Sequence, residues 1–288
     1  MMLNAFSIDV EEYFQVHNFE EQIERQSWSE FESRLERSLD RILLLLERHE
    51  VHATFFVLCW HADRLRSLVR RLHDAGHEIG SHGCEHRLVY TQTAAEFRAD
   101  IRRSKRYLED LTGDAVGGYR APSYSITKQS TWALAELKAE GFQYDSSIYP
   151  MRRRRYGIPD APRHPHLRPE GIVEFPMSTW RLLGINLPAA SGAYLRLFPP
   201  VVAVRAIRQL NAAGHPAVVN IHPWDLDPEQ PRLAGGYLGG LTHYVNLHRT
   251  EGRLDRLLGR FRFGTMRRCL EETGLLGRAT PGAQASAG

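Results

Sequence analysis

Residues 53–86, ATFFVLCWHADRLRSLVRRLHDAGHEIGSHGCEH, contain the pattern that decides the fold of this 288-residue chain. The segment opens on a dense apolar run, residues 53–60, whose β-branched and aromatic members are typical of a buried strand. Apolar residues then recur at helical spacing over residues 64–74, and Gly76 follows as a helix stop. Residues 77–81 form a second short strand. The segment therefore predicts one strand–helix–strand unit of a parallel sheet.

The same alternation of strand and helix continues on both sides of this unit. It predicts an α/β fold, and its regularity favours a distorted (β/α) barrel over an open sheet. A stretch rich in Pro, Arg and His, residues 149–170, is predicted to be a long loop. Further strands are predicted at residues 4–10, 116–119, 142–145 and 217–221, and further helices at residues 31–46, 93–111, 128–140 and 200–213.

The amino-acid composition and charge give no support to two classes of function, nucleic-acid binding and membrane insertion. Lys and Arg together number 37 against 34 Asp and Glu, a balance that neither requires nor excludes a nucleic-acid partner. No Lys/Arg-rich stretch is interleaved with stacking aromatic residues, so we expect no nucleic-acid partner. No apolar stretch approaches the roughly 20 residues that cross a bilayer, so we expect no stable membrane insertion.

The cysteine content and the N-terminal sequence allow a prediction of the cellular compartment. Cys59, Cys84 and Cys269 are odd in number and form no CxxC pair. This usage predicts that no disulfide framework forms and that the protein works in a reducing compartment. The first residues, MMLNAFSIDVEEYF, lack the basic and apolar segments of a signal peptide. Together these features predict a cytoplasmic protein.

Chemically active side chains stand at the ends of two predicted strands. Asp9 and Glu11 close the first strand, and residues two apart in an extended chain project to the same face. His82 and His86, in SHGCEH, follow the strand at residues 77–81. A spacing of four on a helical turn places two imidazoles on one face, where they can hold a metal ion.

Polar groups also close three later strands. Arg120 lies in YRAPSY, with Pro122 and Tyr124, while Asp145 and His222 follow two other strands. Each residue alone has an ordinary explanation, such as a surface turn, a salt bridge or a strand cap. In (β/α) barrels, however, catalytic sites assemble at the carboxyl ends of the strands. Five strand ends with suitable groups therefore predict one active site.

In combination these motifs resemble the NodB-homology polysaccharide deacetylases, which form carbohydrate esterase family four. The resemblance extends from about Ala5 to Trp224. Two later stretches, HPWDLDPEQPR and HYVNLHRTEGRLDRLLGRFRFGTM, resemble the subgroup encoded beside exosortase and exopolysaccharide loci. The resemblance implies a single catalytic domain over residues 1–275, with a C-terminal extension from about residue 225. Residues 276–288, mostly small, are predicted to be a disordered tail.

The implied activity is that of a metal-dependent hydrolase. It would remove N-acetyl groups from the N-acetylhexosamine units of a polysaccharide or of its lipid-linked precursor. The implied ligands of a divalent metal are Glu11, His82 and His86. Two imidazoles and one carboxylate suit zinc, and cobalt or nickel would fit the same set.

The resemblance also implies roles for the remaining residues. Asp9 would be the general base, with Arg120 keeping it ionised. The backbone N–H of Tyr124 would donate a hydrogen bond to the oxyanion of the tetrahedral intermediate. His222 would be the general acid, oriented by Asp145.

The sequence departs from the usual family pattern at two places. The first motif commonly has two adjacent Asp residues, whereas here Val10 takes the second position and Glu11 follows it. Glu12 is the alternative carboxylate ligand. The fourth motif usually has a Trp that lines the acetyl pocket, and here only Ile148 and Tyr149 are candidates.

Two other functions remain open from the sequence. One is a metal-free ring-amide hydrolase of the allantoinase type, and the other is a catalytically inactive glycan-binding module. The run Arg152–Arg155 has two interpretations as well, a solvated loop face or a basic rim that holds an anionic glycan or a lipid-linked diphosphate carrier. The oligomeric state cannot be predicted from these residues.

Overall fold

The computed structural model describes residues 1–16, 19–20, 22–153, 155–233 and 242–277. Its centre is a nine-stranded sheet that is parallel except for one edge strand, which pairs antiparallel with its neighbour. From one edge the order is β10 (Val218–Ile221), β1 (Leu3–Val10), β2 (Thr54–Val57), β3 (Glu78–Ser81), β4 (Gly118–Tyr119), β5 (Tyr144–Asp145), β7 (Val173–Glu174) and β6 (His166–Leu167).

Two further features complete the strands. The ninth strand of the sheet, β11 (Arg262–Gly264), pairs with the first residues of β1 on the side opposite β10, in line with β2. A separate antiparallel hairpin is formed by β8 (Thr179–Leu182) and β9 (Ile185–Pro188). The eight residues of β1 are all buried, as expected for a strand covered on both faces.

Helices follow most strands and cover the sheet. The third helix shows how the sequence sets its ends: Thr93 and Glu96 form a reciprocal capping box, and Gly113 closes the helix at a φ of 80°. The helices are α1 (Leu35–Arg48), α2 (Ala62–Asp74), α3 (Ala94–Thr112), α4 (Trp132–Ala139), α5 (Gly192–Leu197), α6 (Pro200–Ala212), α7 (Leu247–Leu258) and α8 (Met266–Glu272).

The predicted α/β class and its distorted-barrel character are confirmed, because the sheet curls into a half-barrel. The strands predicted over residues 53–60, 116–119 and 142–145 are shorter in the structure, where they span Thr54–Val57, Gly118–Tyr119 and Tyr144–Asp145. The strands β6 and β7 were not predicted from the sequence, because two residues are too few to show the alternation of apolar and polar side chains that marks a strand.

The C-terminal segment is part of the central sheet. β11 pairs with the first residues of β1, and the Phe263 ring lies edge-on to the Phe6 ring at a centroid distance of 5.8 Å. The backbone N–H of Met266 donates to Thr54 Oγ1 at 2.8 Å. The stretch predicted as an extension from about residue 225 therefore completes the core. At the far end, Leu276 N–H donates to the Leu270 carbonyl at 3.2 Å, and residues 278–288 of the predicted tail lie outside the described residues.

Cys59 and Cys84 form a disulfide, whereas Cys269 is free and buried. The prediction that no disulfide forms is therefore wrong. The two cysteines are 25 residues apart in sequence, but each follows one of the neighbouring strands β2 and β3, which brings their Cα atoms to 4.4 Å. The argument for a reducing compartment loses its support. Cytoplasmic localisation stays a prediction.

Within the described segments, no helix combines the length of a membrane span with sufficient apolar character.

Candidate active site

The carboxyl ends of the central strands open into a pocket of about 300 Å³. The side chains predicted from β1, the segment after β3 and the end of β10 meet there. An aromatic wall faces them across the pocket. The chemical lining is Asp9, Glu11, His82, His86 and His222, and the aromatic lining is Tyr90, Tyr124, Tyr149, Tyr156, Tyr194 and Trp224.

Glu11, His82 and His86 form a cluster that can hold a metal ion. Each offers one ligand atom, and these atoms all lie within 4.8 Å of one another at buried positions. His86 Nε2 lies 2.7 Å from Glu11 Oε2. The backbone of His86 has a φ of 50°, a left-handed conformation that a non-glycine residue adopts at an energetic cost. The fold thus holds the second imidazole in a position that local preferences disfavour.

The tautomer of His82 is fixed by a backbone contact. Its Nδ1 lies 2.8 Å from the carbonyl oxygen of Arg120, which can only accept a hydrogen bond. Nδ1 therefore carries the proton, and Nε2 presents a lone pair, as in metal-binding histidines generally. Burial lowers the pKa of His82 to about 4, so the ring is neutral at physiological pH. A neutral imidazole is the form that ligates a metal.

These residues fit a divalent metal ion. The Oε2 atom of Glu11 is buried and, despite the nearby His86, makes no hydrogen bond of acceptable geometry. An unsatisfied buried carboxylate oxygen is costly unless another group binds it. Two imidazoles and one carboxylate are also the ligand set of open catalytic zinc sites.

Glu12, the alternative ligand, points elsewhere. Its two carboxylate oxygens accept the backbone N–H of Arg34 at 3.1 and 3.2 Å, and burial raises its pKa. Strand alternation explains the difference, because Glu11 lies two residues after Asp9 and shares its side of the chain. The structure therefore brings Glu11, and not Glu12, to the histidines.

Asp9 is held as an anion by a buried network. Its Oδ1 accepts from Arg120 Nη1 at 2.8 Å, and its Oδ2 accepts from Asn220 Nδ2 at 2.9 Å. Burial works against ionisation, but the positive charge of Arg120, assisted by His82 and His222, outweighs it and lowers the pKa of Asp9. The carboxylate is ionised and oriented, as a general base must be.

Arg120 is fully buried, and its donors are satisfied on several sides. Nη1 also donates to Ser7 Oγ at 2.8 Å and to Asn220 Oδ1 at 2.5 Å. Nε and Nη2 donate to the carbonyl and hydroxyl oxygens of Ser146 at 3.0 and 2.8 Å. The guanidinium lies over the Phe56 ring, 4.3 Å from its centroid. A buried charge is tolerated only with such complete pairing, so this network fixes the geometry around Asp9.

Asn220 was missed by the sequence analysis. It faces Ser7 across the β1–β10 pair and bonds Asp9, Arg120 and the Tyr124 hydroxyl. The signal was a polar residue inside the apolar strand VVNI, two positions before His222 and hence on the same face.

His222 stands opposite the metal cluster. Its Nε2 lies 3.2 Å from Glu11 Oε1 and 3.8 Å from Asp9 Oδ2, and its Nδ1 lies 3.1 Å from Asp225 Oδ2. Burial disfavours the charged ring, but Asp225 and the two site carboxylates raise the pKa of His222 to about 9. A divalent cation at the cluster would offset part of this rise because it adds positive charge. The ring can therefore carry the proton that a general acid needs.

Asp145 does not contact His222, so the predicted orienting role is wrong. Its carboxylate accepts a hydrogen bond from the Ser147 hydroxyl at 2.5 Å. It also interacts with the buried carboxyl group of Glu174, and burial together with the charge of Asp145 raises the pKa of Glu174. The partner of His222 is Asp225, three residues on, because the 3₁₀ turn that begins at Pro223 brings its carboxylate back to the imidazole. Asp145 instead supports Ser147, which accepts the backbone N–H of Ala121 at 2.8 Å.

Asp225 has a buried counterion. Arg196 Nε lies 2.8 Å from Asp225 Oδ1, and both side chains are inaccessible to solvent. The Arg196 charge and the hydrogen bond from His222 outweigh burial and lower the pKa of Asp225. Trp224 stacks on the His222 ring with centroids 4.5 Å apart, which restricts its rotation.

Tyr124 lies on the pocket wall, but its backbone N–H is already used. That N–H donates to the Ala121 carbonyl at 3.1 Å, so the prediction that it meets the oxyanion is wrong in this conformation. Ser123 and Tyr124 both adopt left-handed backbone angles, with φ values of 52° and 54°, and both line the pocket. Left-handed angles at two consecutive non-glycine residues cost energy, and such strain is typical of functional sites.

The predicted acetyl-pocket residues separate in the structure. Tyr149 lines the pocket, whereas Ile148 is buried in the core and donates its N–H to Glu174 at 3.0 Å. Trp224 supplies an indole to the same pocket from a different segment. Of the basic run, Arg155 lines the pocket, Arg153 lies over the Tyr194 ring at 5.4 Å, and Arg154 lies outside the described residues.

Two protein-family models match the chain in succession. Residues 21–142 match "Polysaccharide deacetylase", and residues 146–271 match a domain of unknown function, DUF3473. The first match includes His82, His86 and Arg120, and the second includes His222 and Asp225.

Curated relatives are similar over part of the chain. A peptidoglycan deacetylase of Helicobacter pylori is 30% identical over 113 residues, which are 39% of this chain and 38% of that protein. A peptidoglycan-N-acetylglucosamine deacetylase of Bacillus cereus is 34% identical over 97 residues, 33% of this chain and 35% of that protein. The chain thus spans less than half the length of these relatives.

Solved structures share the fold over nearly the whole chain. A putative polysaccharide deacetylase from Mycobacterium smegmatis superposes with a TM-score of 0.59 at 18% identity, covering 99% of this chain and 95% of that one. The peptidoglycan deacetylase PdaC from Bacillus subtilis gives 0.50 at 14% identity, covering 95% and 92%. Residues 21–142 therefore match the polysaccharide deacetylase family, and the solved structures show that a fold of this kind extends over nearly the whole chain.

Proposed function

We propose that this protein is a metal-dependent deacetylase that hydrolyses the N-acetyl groups of N-acetylhexosamine units in a polysaccharide or its lipid-linked precursor. The observation that carries the proposal is the geometry around Glu11. Its carboxylate lies between two histidines suited to a metal on one side and His222 on the other, with Asp9 close by. We propose further that residues 1–275 act as one catalytic domain, since both family segments contribute strands to one sheet.

Glu11, His82 and His86 would hold the divalent cation, and the ligand set favours zinc over cobalt or nickel. When bound, the cation supplies Lewis acidity toward the acetyl carbonyl and the attacking water. The neutral state of His82 and the fixed position of its proton prepare it for that role.

Asp9 would accept the proton of the attacking water. Arg120 and Asn220 each donate to one of its oxygens, so the carboxylate is held ionised and cannot rotate freely. Such a base contributes on the order of 10²–10⁴-fold to a hydrolysis rate.

His222 would protonate the departing amine, since an amine leaves an amide only as the neutral molecule. Asp225 holds its Nδ1 side, which leaves the proton on Nε2 facing the pocket. The contact with Asp225 stabilises the imidazolium before transfer.

The substrate would be a glycan whose sugar rings pack against the aromatic side chains of the pocket. Tyr149, Tyr156, Tyr194 and Trp224 offer flat apolar faces for sugar rings, and Arg155 adds positive charge at the same pocket. Relatives named for peptidoglycan support the N-acetylated class. The resemblance of residues 243–266 to the exopolysaccharide-locus subgroup makes an exopolysaccharide the glycan we propose. The metal-free hydrolase and the inactive binding module are disfavoured, because the ligand cluster and both acid–base residues are in place.

Metal content tests the ligand assignment. Glu11→Ala should lose the bound divalent metal, because two histidines alone hold it weakly, and should release no acetate. Glu12→Ala is the matched control and should keep its metal, since Glu12 bonds the Arg34 backbone. Elemental analysis of both purified variants checks this. Full metal content in Glu11→Ala would show that the cation binds elsewhere.

A further inference from the structure

A second cavity, about 360 Å³ in volume, lies in a groove between α6 and α7. We call it the α6–α7 groove. Its floor is apolar, formed by Val204, Leu254 and Leu257. At its edge two large apolar side chains are exposed: Phe198, between α5 and α6, is 36% accessible, and Val201, in the first turn of α6, is 46% accessible. Exposed apolar groups beside an apolar cavity indicate a binding surface.

Five arginines line the same groove. Helical spacing places Arg205 and Arg208 on the α6 side and Arg253 and Arg256 on the α7 side, and Arg260 follows the end of α7. Within the described ranges none of the five belongs to a salt bridge; the nearby acids are paired away from the groove. Burial and the positive charges of Arg249 and Arg256 lower the pKa of Arg253, as expected where cations lack counterions.

Some of these arginines also have a structural use. Arg253 donates to backbone carbonyls at the end of α5, among them that of Arg196 at 2.7 Å, and Arg205 lies over the Trp180 ring at 5.6 Å. Arg208, Arg256 and Arg260 are exposed. Cations that gather round an apolar floor repel one another, so an anionic group bound between them would relieve that cost.

The groove adjoins the candidate active site. Tyr194 lines both the groove and the catalytic pocket, and Leu197, on the same short helix α5, lines the pocket. One helix is therefore the common wall of the two cavities. A ligand with an apolar chain and a phosphate in the groove would have its polar continuation directed along this wall.

We propose that the α6–α7 groove binds an isoprenyl or acyl phosphate, with the chain on the apolar floor and the phosphate among the arginines. Binding of the lipid phosphate is independent of catalysis. That the lipid carries the glycan to the pocket rests on the proposed deacetylase function. The site thereby defines the substrate class as a lipid-linked glycan.

Calorimetric titration of farnesyl phosphate into the purified full-length protein tests the site. Farnesol, which lacks the phosphate, and inorganic phosphate, which lacks the chain, are the comparison ligands. We expect farnesyl phosphate to bind at least roughly tenfold more tightly than either, since only it engages both features of the groove. Equal affinity for inorganic phosphate would reduce the groove to a plain anion site and overturn the proposal.

Variants locate the binding. The double variant Arg256→Glu with Arg260→Glu, and separately Val201→Asp, should each weaken farnesyl phosphate by about tenfold or more. An acid at Val201, in the first turn of α6, suits the helix dipole, so that variant should fold. The matched control, Arg66→Glu with Arg106→Glu, makes the same charge change on α2 and α3 and should bind as the unmodified protein does. Equal weakening by the control would mean a general charge effect and contradict the site.

The metal-site variant separates this proposal from the catalytic one. Glu11→Ala should bind farnesyl phosphate with unchanged affinity, because Glu11 does not line the groove. If the protein has no deacetylase activity, the affinity for farnesyl phosphate measured in this titration should be the same. Loss of farnesyl phosphate binding in Glu11→Ala would place the lipid in the catalytic pocket instead.

Discussion

Arg120 shows how single residues build this site. A buried guanidinium has no water to bond, so the chain must provide acceptors on every side, and Asp9, Ser7, Asn220 and Ser146 do so. The same pairing keeps the Asp9 carboxylate charged and stationary. At this scale stability and catalysis depend on the same hydrogen bonds.

The acid–base partner of His222 gives a prediction at this scale. Asp225→Asn should slow N-acetyl cleavage on the order of 10²-fold, because the imidazolium loses its counterion. It should slow hydrolysis of an activated acetyl ester much less, since a good leaving group needs no proton. Rates on both substrates measure the difference.

Asp145→Asn is the control for that comparison. It perturbs the buried pair with Glu174 and should lower stability, but it should not change the ratio of amide to ester rates. A larger change of that ratio in Asp145→Asn than in Asp225→Asn would restore the original assignment of Asp145.

Much of the site could be predicted from residue types at strand ends. Asp9, Glu11, His82, His86, Arg120 and His222 are brought together as expected. Asn220 and Asp225 were missed because an amide in a strand and an acid after HPW have many ordinary uses. Their partners depend on strand register and on a 3₁₀ turn, which residue spacing alone does not determine.

At the scale of elements, the junction of β2 and β3 carries the metal site. The Cys59–Cys84 disulfide joins the segments that follow these two strands, and Cys84 lies between His82 and His86. The cross-link therefore restrains the loop that presents both imidazoles. Sequence analysis missed it because the count of three cysteines says nothing about which strands are neighbours.

Removing this disulfide should weaken both the fold and the metal site. The pair Cys59→Ala and Cys84→Ala should lose about 3 kcal/mol of unfolding free energy, a typical cost for a loop of this length. Its metal affinity should fall too, because the two histidines would be less restrained. Urea unfolding and a competitive metal titration measure the two effects.

Cys269→Ala is the control, since Cys269 is a free cysteine in α8. It should leave metal affinity unchanged. Unaltered metal affinity in the Cys59 and Cys84 double variant would mean that the loop is held by other contacts.

At the scale of the whole molecule, the two family segments form a single structure. β1 pairs with β2 from the first half and with β10 and β11 from the second. Met266 Sδ lies 3.8 Å from Arg120 Nη2, so the C-terminal segment reaches the support of the active site. The sequence predicted the alternation of strands and helices, but β11 is only three residues long, and nothing local shows that it pairs with β1.

Truncation tests this integration. A chain ending at residue 260 lacks β11 and α8, so it would expose Leu3 and Phe6, which these elements cover. We expect it to unfold cooperatively at a much lower temperature or not to fold at all. A chain ending at residue 277 is the control and should melt as the full chain does, in accord with the predicted disordered tail. A stable 1–260 protein in thermal circular dichroism would mean that the C-terminal segment is dispensable.

If Glu11, His82 and His86 hold a catalytic metal, removal of acetyl groups from a glycan must depend on that metal. The most direct measurement is acetate released from N-acetylglucosamine oligomers by the purified protein, after chelation and after Zn²⁺ is restored. We expect chelation to abolish release, zinc to restore it, and His82→Ala and His86→Ala to release no acetate under either condition. Equal release by the chelated protein, or no release from any oligomer by the fully metallated one, would mean that this metal-dependent deacetylation does not occur.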